Sequence, residues 1–289
     1  MRLVRYEIAG QCSIGVLRDD GIVSLAPFFE SGDGGLALEQ VIAGWSESGA
    51  DIRDFVNGAT PSHTLSEARI MAPLTRPSKI VGIGSNYPRP GDENAPQPSA
   101  PILFLKPPSA LTGPTDPIIL PIESRNVIGE VELAIVIGKA GRRLSPEQAG
   151  EYIFGYTVAN DVTAGDVLFA DAHLNPLFLQ QARAKGFASF CPIGPCIATA
   201  DDFEWPLALN LEQRLDGSRE IEGNTRDMAL NAAALVAEVS HAFGVEAGDL
   251  ILSGSSAPIG GKRTPLRDGA VLHSAISGIG ALANPVVAE

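Results

Sequence analysis

Apolar and polar positions at the start of the chain alternate in three short runs, over 2–8, 12–18 and 21–26, and predict a small strand meander. Asp20-Gly21 is the hairpin signal between the second and third runs. Leu36 to Trp45 carries helical spacing. The proline-flanked stretch from Pro73 to Pro77 reads as a link, which gives a small unit over 1–72 ahead of a main body over 73–289. That body begins with a strand at Lys79-Ile80-Val81-Gly82-Ile83-Gly84, followed by a proline-rich stretch from Pro88 to Pro101. The stretch is too long and irregular for a tight turn and has the character of a lid over a site. Met228, Ala232, Leu235, Val239 and Phe243 recur at three- and four-residue spacing, predicting a helix over 228–243 with Thr225 as its N-cap. Gly248 to Gly254 then reads as a turn, a short strand and the start of a Gly/Ser loop.

The most informative segment is Glu130-Val-Glu-Leu-Ala-Ile-Val-Ile-Gly138. Strand alternation sends Glu130 and Glu132 to one face, while Leu133, Ile135 and Ile137 form an apolar row on the other. Two like charges on a half-buried strand need a cation between them, and a hard divalent ion held by carboxylates supplies one. A solvated strand edge guarded by charge accounts for the same pattern. A second strand-like run over 153–163 closes on Asn160-Asp161, where an acid could point into a cleft or merely bond its own turn. Three carboxylates without neighbouring Cys or His ligands suit Mg²⁺, Mn²⁺ or Ca²⁺ and argue against Zn²⁺.

Two tempting motifs fail on context. Gly82-x-Gly84 lacks a third glycine and a following helix, so it is not a dinucleotide loop. Ser253-Gly254-Ser255-Ser256 lacks the elbow of a serine hydrolase and reads instead as a loop whose N–H groups face an anion. Composition narrows the classes further. A chain of 289 residues that is 45% hydrophobic can bury a large core. Its net charge of −13 disfavours nucleic acid and anionic membrane surfaces as partners. No apolar run is long enough to cross a bilayer, and the N-terminus lacks a signal-peptide core, so the expected location is cytoplasmic. Cys12, Cys191 and Cys196 are irregularly spaced, with the last two expected as small buried thiols.

Taken in order, several segments resemble the fumarylacetoacetate hydrolase family from about Pro73 to the C-terminus. They are Lys79 to Tyr87, Pro101 to Ser109, Glu130 to Lys139, Gly155 to Thr163, Cys191 to Pro195, Asn224 to Met228 and Gly248 to Gly254. The resemblance implies an α+β, mainly β fold: a mixed β-sandwich roll, dimeric, behind a small N-terminal β/α domain. It implies a divalent metal on Glu130, Glu132 and Asp161, matching the reading from strand alternation. It places Lys185 beside the metal as a catalytic group, and Tyr87, Lys106, Gly254 and Ser255 at the substrate. The implied substrate is a 2-oxo or β-diketo acid. The implied chemistry runs through a metal-stabilised enolate: C–C bond hydrolysis in much of the family, with decarboxylation, tautomerisation or isomerisation as alternatives. A non-catalytic binding role is disfavoured by the intact acids and Lys185.

Two departures separate this chain from hydrolytic members. Their water-activating pair is a His and, three residues on, a Glu; counting from Asn86-Tyr87, Pro90 stands at the His position while Glu93 is kept. Members carry Arg four residues after the metal Asp, where this chain has Gly165, so a bidentate clamp for a substrate carboxylate is missing. His173 is the only imidazole close in sequence that could serve as a replacement base. Slow or absent hydrolysis of simple acylpyruvates is therefore expected.

Overall fold

The computed structural model describes residues 1–29, 37–88, 91 and 100–289. The fold is mainly β, as expected, and is organised around one long mixed sheet. Strand Val131–Ile137 lies inside it, antiparallel to Ile153–Asn160 on one side and to Leu250–Leu252 on the other. Beyond Leu250–Leu252 the sheet continues through parallel Ile80–Gly84 to Ile102–Lys106. Beyond Ile153–Asn160 it continues through Cys191–Thr199 to Arg2–Ile8, Gln11–Arg18 and Gly21–Ser24. The N-terminal meander thus extends the sheet of the main body, with Arg2 and Leu3 opposite Ala198 and Ile197.

Every residue of Val131–Ile137 is buried, because both faces of the strand are covered. Leu133, Ile135 and Ile137 join the core that includes Leu235, Val236 and Val239 of helix Ala232–Ala242. Ala134 and Val136 join a second core with Leu38, Val41, Ile42 and Ile52 from the N-terminal helices. A separate sheet, ordered Ser218–Asn224, Asn210–Leu215, Val271–Ile276, Gly280–Ala288 and Ile118–Leu120, packs over the first.

Three expectations shift. The helix expected over 36–45 is shorter, Leu38–Ala43, and is followed by an unanticipated helix, Trp45–Gly58. In the second of these, Gly49 makes room for the Trp45 ring, since a Cβ there would meet ring atoms at 2.8 Å. The long helix begins at Ala232 with Asn231 as N-cap, its side chain accepting from the Ala234 N–H, whereas Thr225 opens a 3₁₀ turn. The intervening Ala229 and Leu230 N–H groups donate to Asn86, which holds them out of the helix. Most of the expected lid, Pro90 and Glu93 included, lies outside the described residues. Among the described residues no helix is long and apolar enough to cross a membrane.

Candidate metal centre

Glu130 and Glu132 flank the first residue of the central strand, and Asp161 follows the last residue of its neighbour. The register pairs Val131 with Asn160, which brings the strand start and the strand end to one edge. The Asp161 N–H donates to the Glu130 carbonyl at 2.8 Å, and the Asn160 side chain accepts from the Glu130 N–H at 2.8 Å. Asn160 is fixed in turn by donation to Ser274 and Gln213, and Gln213 donates to the Gly129 carbonyl. Carboxylate oxygens of Glu130, Glu132 and Asp161 consequently lie within 4.8 Å of one another.

Such a cluster is tolerable in a folded chain only if its charge is compensated. Lys106 is fully buried and donates to Asp161 at 2.6 Å and to the Val162 carbonyl at 3.1 Å. Lys185, at the end of helix Gln181–Lys185, donates to Asp161, to Thr163 Oγ1 at 2.7 Å and to Glu130 at 3.5 Å. Its ammonium also sits 4.5 Å from the centre of the Phe104 ring. Gly82 permits that ring position, since a Cβ there would fall inside it. Arg263 forms an ion pair with Glu130 at 2.9 Å and donates to the Ser256 carbonyl at 3.3 Å.

Glu132 is the exception. It is buried and accepts from the Gly254 N–H at 2.7 Å, and among the described residues no Lys or Arg pairs with it directly. Gly254 adopts φ +88°, a left-handed conformation that suits glycine, and so turns its N–H onto the carboxylate. Burial, followed by the charges of Asp161 and Glu130, pushes the Glu132 carboxyl well above the ordinary carboxylate range. Burial would also raise Asp161, but Lys106 and Lys185 outweigh it and hold that carboxyl below its ordinary value. Burial opposes the Lys185 charge, yet Asp161 and Glu130 prevail and keep its pKa above the usual lysine range. An all-carboxylate donor set with one uncompensated buried member fits a hard divalent cation.

The other residues singled out in the sequence divide. Tyr87 is buried, its hydroxyl makes no well-formed hydrogen bond among the described residues, and its pKa is raised by burial and by the charge of Glu132 against a smaller opposing effect of Ser253. Ser255 adjoins Gly254 in the same loop and is partly buried. Lys106 lies beneath Asp161, sealed from solvent, and Gly254 directs its N–H to Glu132. His173 is exposed on the turns after Asp161 and makes no hydrogen bond or ion pair with the three acids. The remaining imidazoles are also elsewhere: His241 bonds the Leu144 carbonyl, His63 stacks near Tyr6, and His273 sits on the second sheet. Sequence reasoning missed Arg263, Thr163 and the Asn160–Gln213–Ser274 network, none of which carries a spacing signal.

The fumarylacetoacetate (FAA) hydrolase C-terminal family matches residues 79–287. The chain is 38% identical over 231 residues to an oxaloacetate tautomerase, fahd2, mitochondrial, of Xenopus laevis, covering 78% of this chain and 71% of that one. Among solved structures, a 5-carboxymethyl-2-hydroxymuconate delta-isomerase from Mycobacterium smegmatis matches with a TM-score of 0.78 at 30% identity, covering 100% of this chain and 99% of that one. A maleylpyruvate hydrolase from Sphingobium sp. SYK-6, in complex with manganese(II) ion and pyruvate, matches with a TM-score of 0.83 at 28% identity and the same coverage. Strand pairing, the three-acid centre and the match over most of its length together make this chain an enzyme of the fumarylacetoacetate hydrolase family.

Proposed function

We propose that this enzyme interconverts the keto and enol forms of a small 2-oxo dicarboxylic acid of the oxaloacetate type, with Mg²⁺ or Mn²⁺ on Glu130, Glu132 and Asp161. The observation that carries the reading is chemical: no imidazole touches the three-acid centre, so the usual base for activating water is absent among the described residues. The name borne by the Xenopus relative points the same way. When bound, the ion would act as a Lewis acid on the oxo group. Lys185, held cationic by Asp161 and Glu130, stabilises negative charge that develops on the oxo oxygen. Tyr87 remains protonated and offers its hydroxyl to the proton that moves between carbon and oxygen.

A second reading, hydrolytic cleavage of an acylpyruvate, is favoured by the likeness to the maleylpyruvate hydrolase. One experiment separates them. With Mg²⁺ present, enol absorbance of oxaloacetate and cleavage of acetylpyruvate are followed on the same preparation. Accelerated ketonisation with little cleavage is expected; efficient acetylpyruvate cleavage without ketonisation would replace the first reading by the second. The proposal includes a homodimer, in which a second copy covers the exposed Phe169, Leu174, Leu177 and Phe178 between Asp161 and Lys185.

A further inference from the structure

The three cations of the centre are not equivalent. The Lys106 ammonium donates to Asp161 and the Val162 carbonyl, and that of Lys185 to Asp161, Thr163 and Glu130. Arg263 alone among them leaves a buried nitrogen, Nη1, with no acceptor among the described residues, while Nη2 serves both Glu130 and Ser256. A guanidinium presents donors in a planar fork made for two oxygens, so an idle buried Nη1 is an incomplete site.

Its position also matters. The Asp161, Lys106 and Lys185 side chains are 1%, 0% and 9% exposed, whereas those of Glu130 and Arg263 are 20% and 16% exposed. A ligand therefore reaches the acids over the Glu130–Arg263 side. The loop carrying Arg263 is anchored by the Leu266 N–H, which donates to the Val127 carbonyl. At the residue before Val127, the Asn126 carbonyl accepts from the N–H of Gly165, which brings no cation.

We infer that Arg263 is the specificity-determining residue of the centre, binding the distal carboxylate of a 2-oxo dicarboxylic acid through the fork that includes Nη1. The inference rests on the oxo-acid reading above and narrows it to dianionic substrates. Oxamate and N-oxalylglycine share the same oxo-carboxylate head and differ by a distal carboxymethyl group. Their calorimetric affinities in saturating Mg²⁺ thus isolate the distal contact without any turnover. In the parent protein N-oxalylglycine should bind more tightly than oxamate. Arg263→Met should weaken N-oxalylglycine by about 10- to 100-fold, the worth of charge-assisted hydrogen bonds, and leave oxamate unchanged. Arg263→Lys, which keeps the charge but loses the fork, should recover part of the difference and serves if the Met variant does not fold. Equal weakening of both probes would overturn the inference and make Arg263 a support for Glu130. No weakening of either, or a parent that binds both probes equally, would overturn it too while leaving the oxo-acid reading intact. A parent that binds neither probe with Mg²⁺ refutes both.

Discussion

Lys106 offers the sharpest test of how the centre is held together. Its ammonium and the Asp161 carboxylate are 0% and 1% exposed and 2.6 Å apart, so neither can turn to water if the other is removed. Breaking a buried pair by deleting one member costs about 3–5 kcal/mol. Lys106→Met keeps the stem and removes the charge, and Asp161 retains Lys185, so the lower end, about 3 kcal/mol, is expected. For a chain of 289 residues that corresponds to a fall of about 5 °C in Tm. Scanning calorimetry in EDTA measures it. Added Mg²⁺ should raise the Tm of the variant more than that of the parent, because Asp161 then lacks a competing cation. The Asp161→Asn single variant and the double variant complete a cycle in which the double should lie well above the sum of the singles. Additivity, or a Tm within about 1 °C of the parent, would show that the pair is not the compensating interaction described here.

Three further outcomes follow from the same geometry. Glu132→Gln removes the buried acid that no Lys or Arg pairs directly among the described residues, so the metal-free protein should be at least as stable as the parent while calorimetry shows Mg²⁺ affinity falling sharply. Tyr87→Phe should lower the ketonisation rate by about 10²-fold or more with little change in Mg²⁺ affinity, if its hydroxyl handles the proton. Burial pushes the Cys191 and Cys196 thiols up from the ordinary 9 to about 12. Folded-state values above the unfolded ones mean that this stability is complete below about pH 9 and is lost as pH rises toward 12. Tm should decline over that window, and in the native protein at neutral pH a thiol reagent should titrate Cys12 alone.

Much of the centre was legible because strand geometry is local. Alternation alone puts Glu130 and Glu132 on one face, and the end of an apolar run marks Asp161. The meander was legible for the same reason, with its strands at Arg2–Ile8, Gln11–Arg18 and Gly21–Ser24. Helix Trp45–Gly58 was not, since its buried positions are few and Gly49, a poor helix former, is there to admit a ring. The start of the long helix was misplaced because both Thr225 and Asn231 are good caps, and the choice is made by Asn86, far away in sequence. Arg263 was invisible because its pairing with Glu130 depends on how the loop after Leu250–Leu252 folds back, which no periodicity records.

Charge connects these parts to the choice of substrate. Three carboxylates face Lys106, Lys185 and Arg263, so with all six ionised the metal-free cluster is balanced overall, though unevenly, with Glu132 left bare. A divalent ion held there would add two positive charges that nothing in the cluster offsets, within a chain whose net charge is −13. At close range in a partly buried pocket the local field outweighs the distant and screened surface charge. On the proposed function, the loaded centre would favour an anion of charge two over one of charge one. An oxaloacetate-like diacid would meet that demand and a simple oxo monoacid would not. With Arg263 at the open side, as inferred above, the second charge would have a defined place to go, and the same balance that lets the acids be buried would also select the ligand.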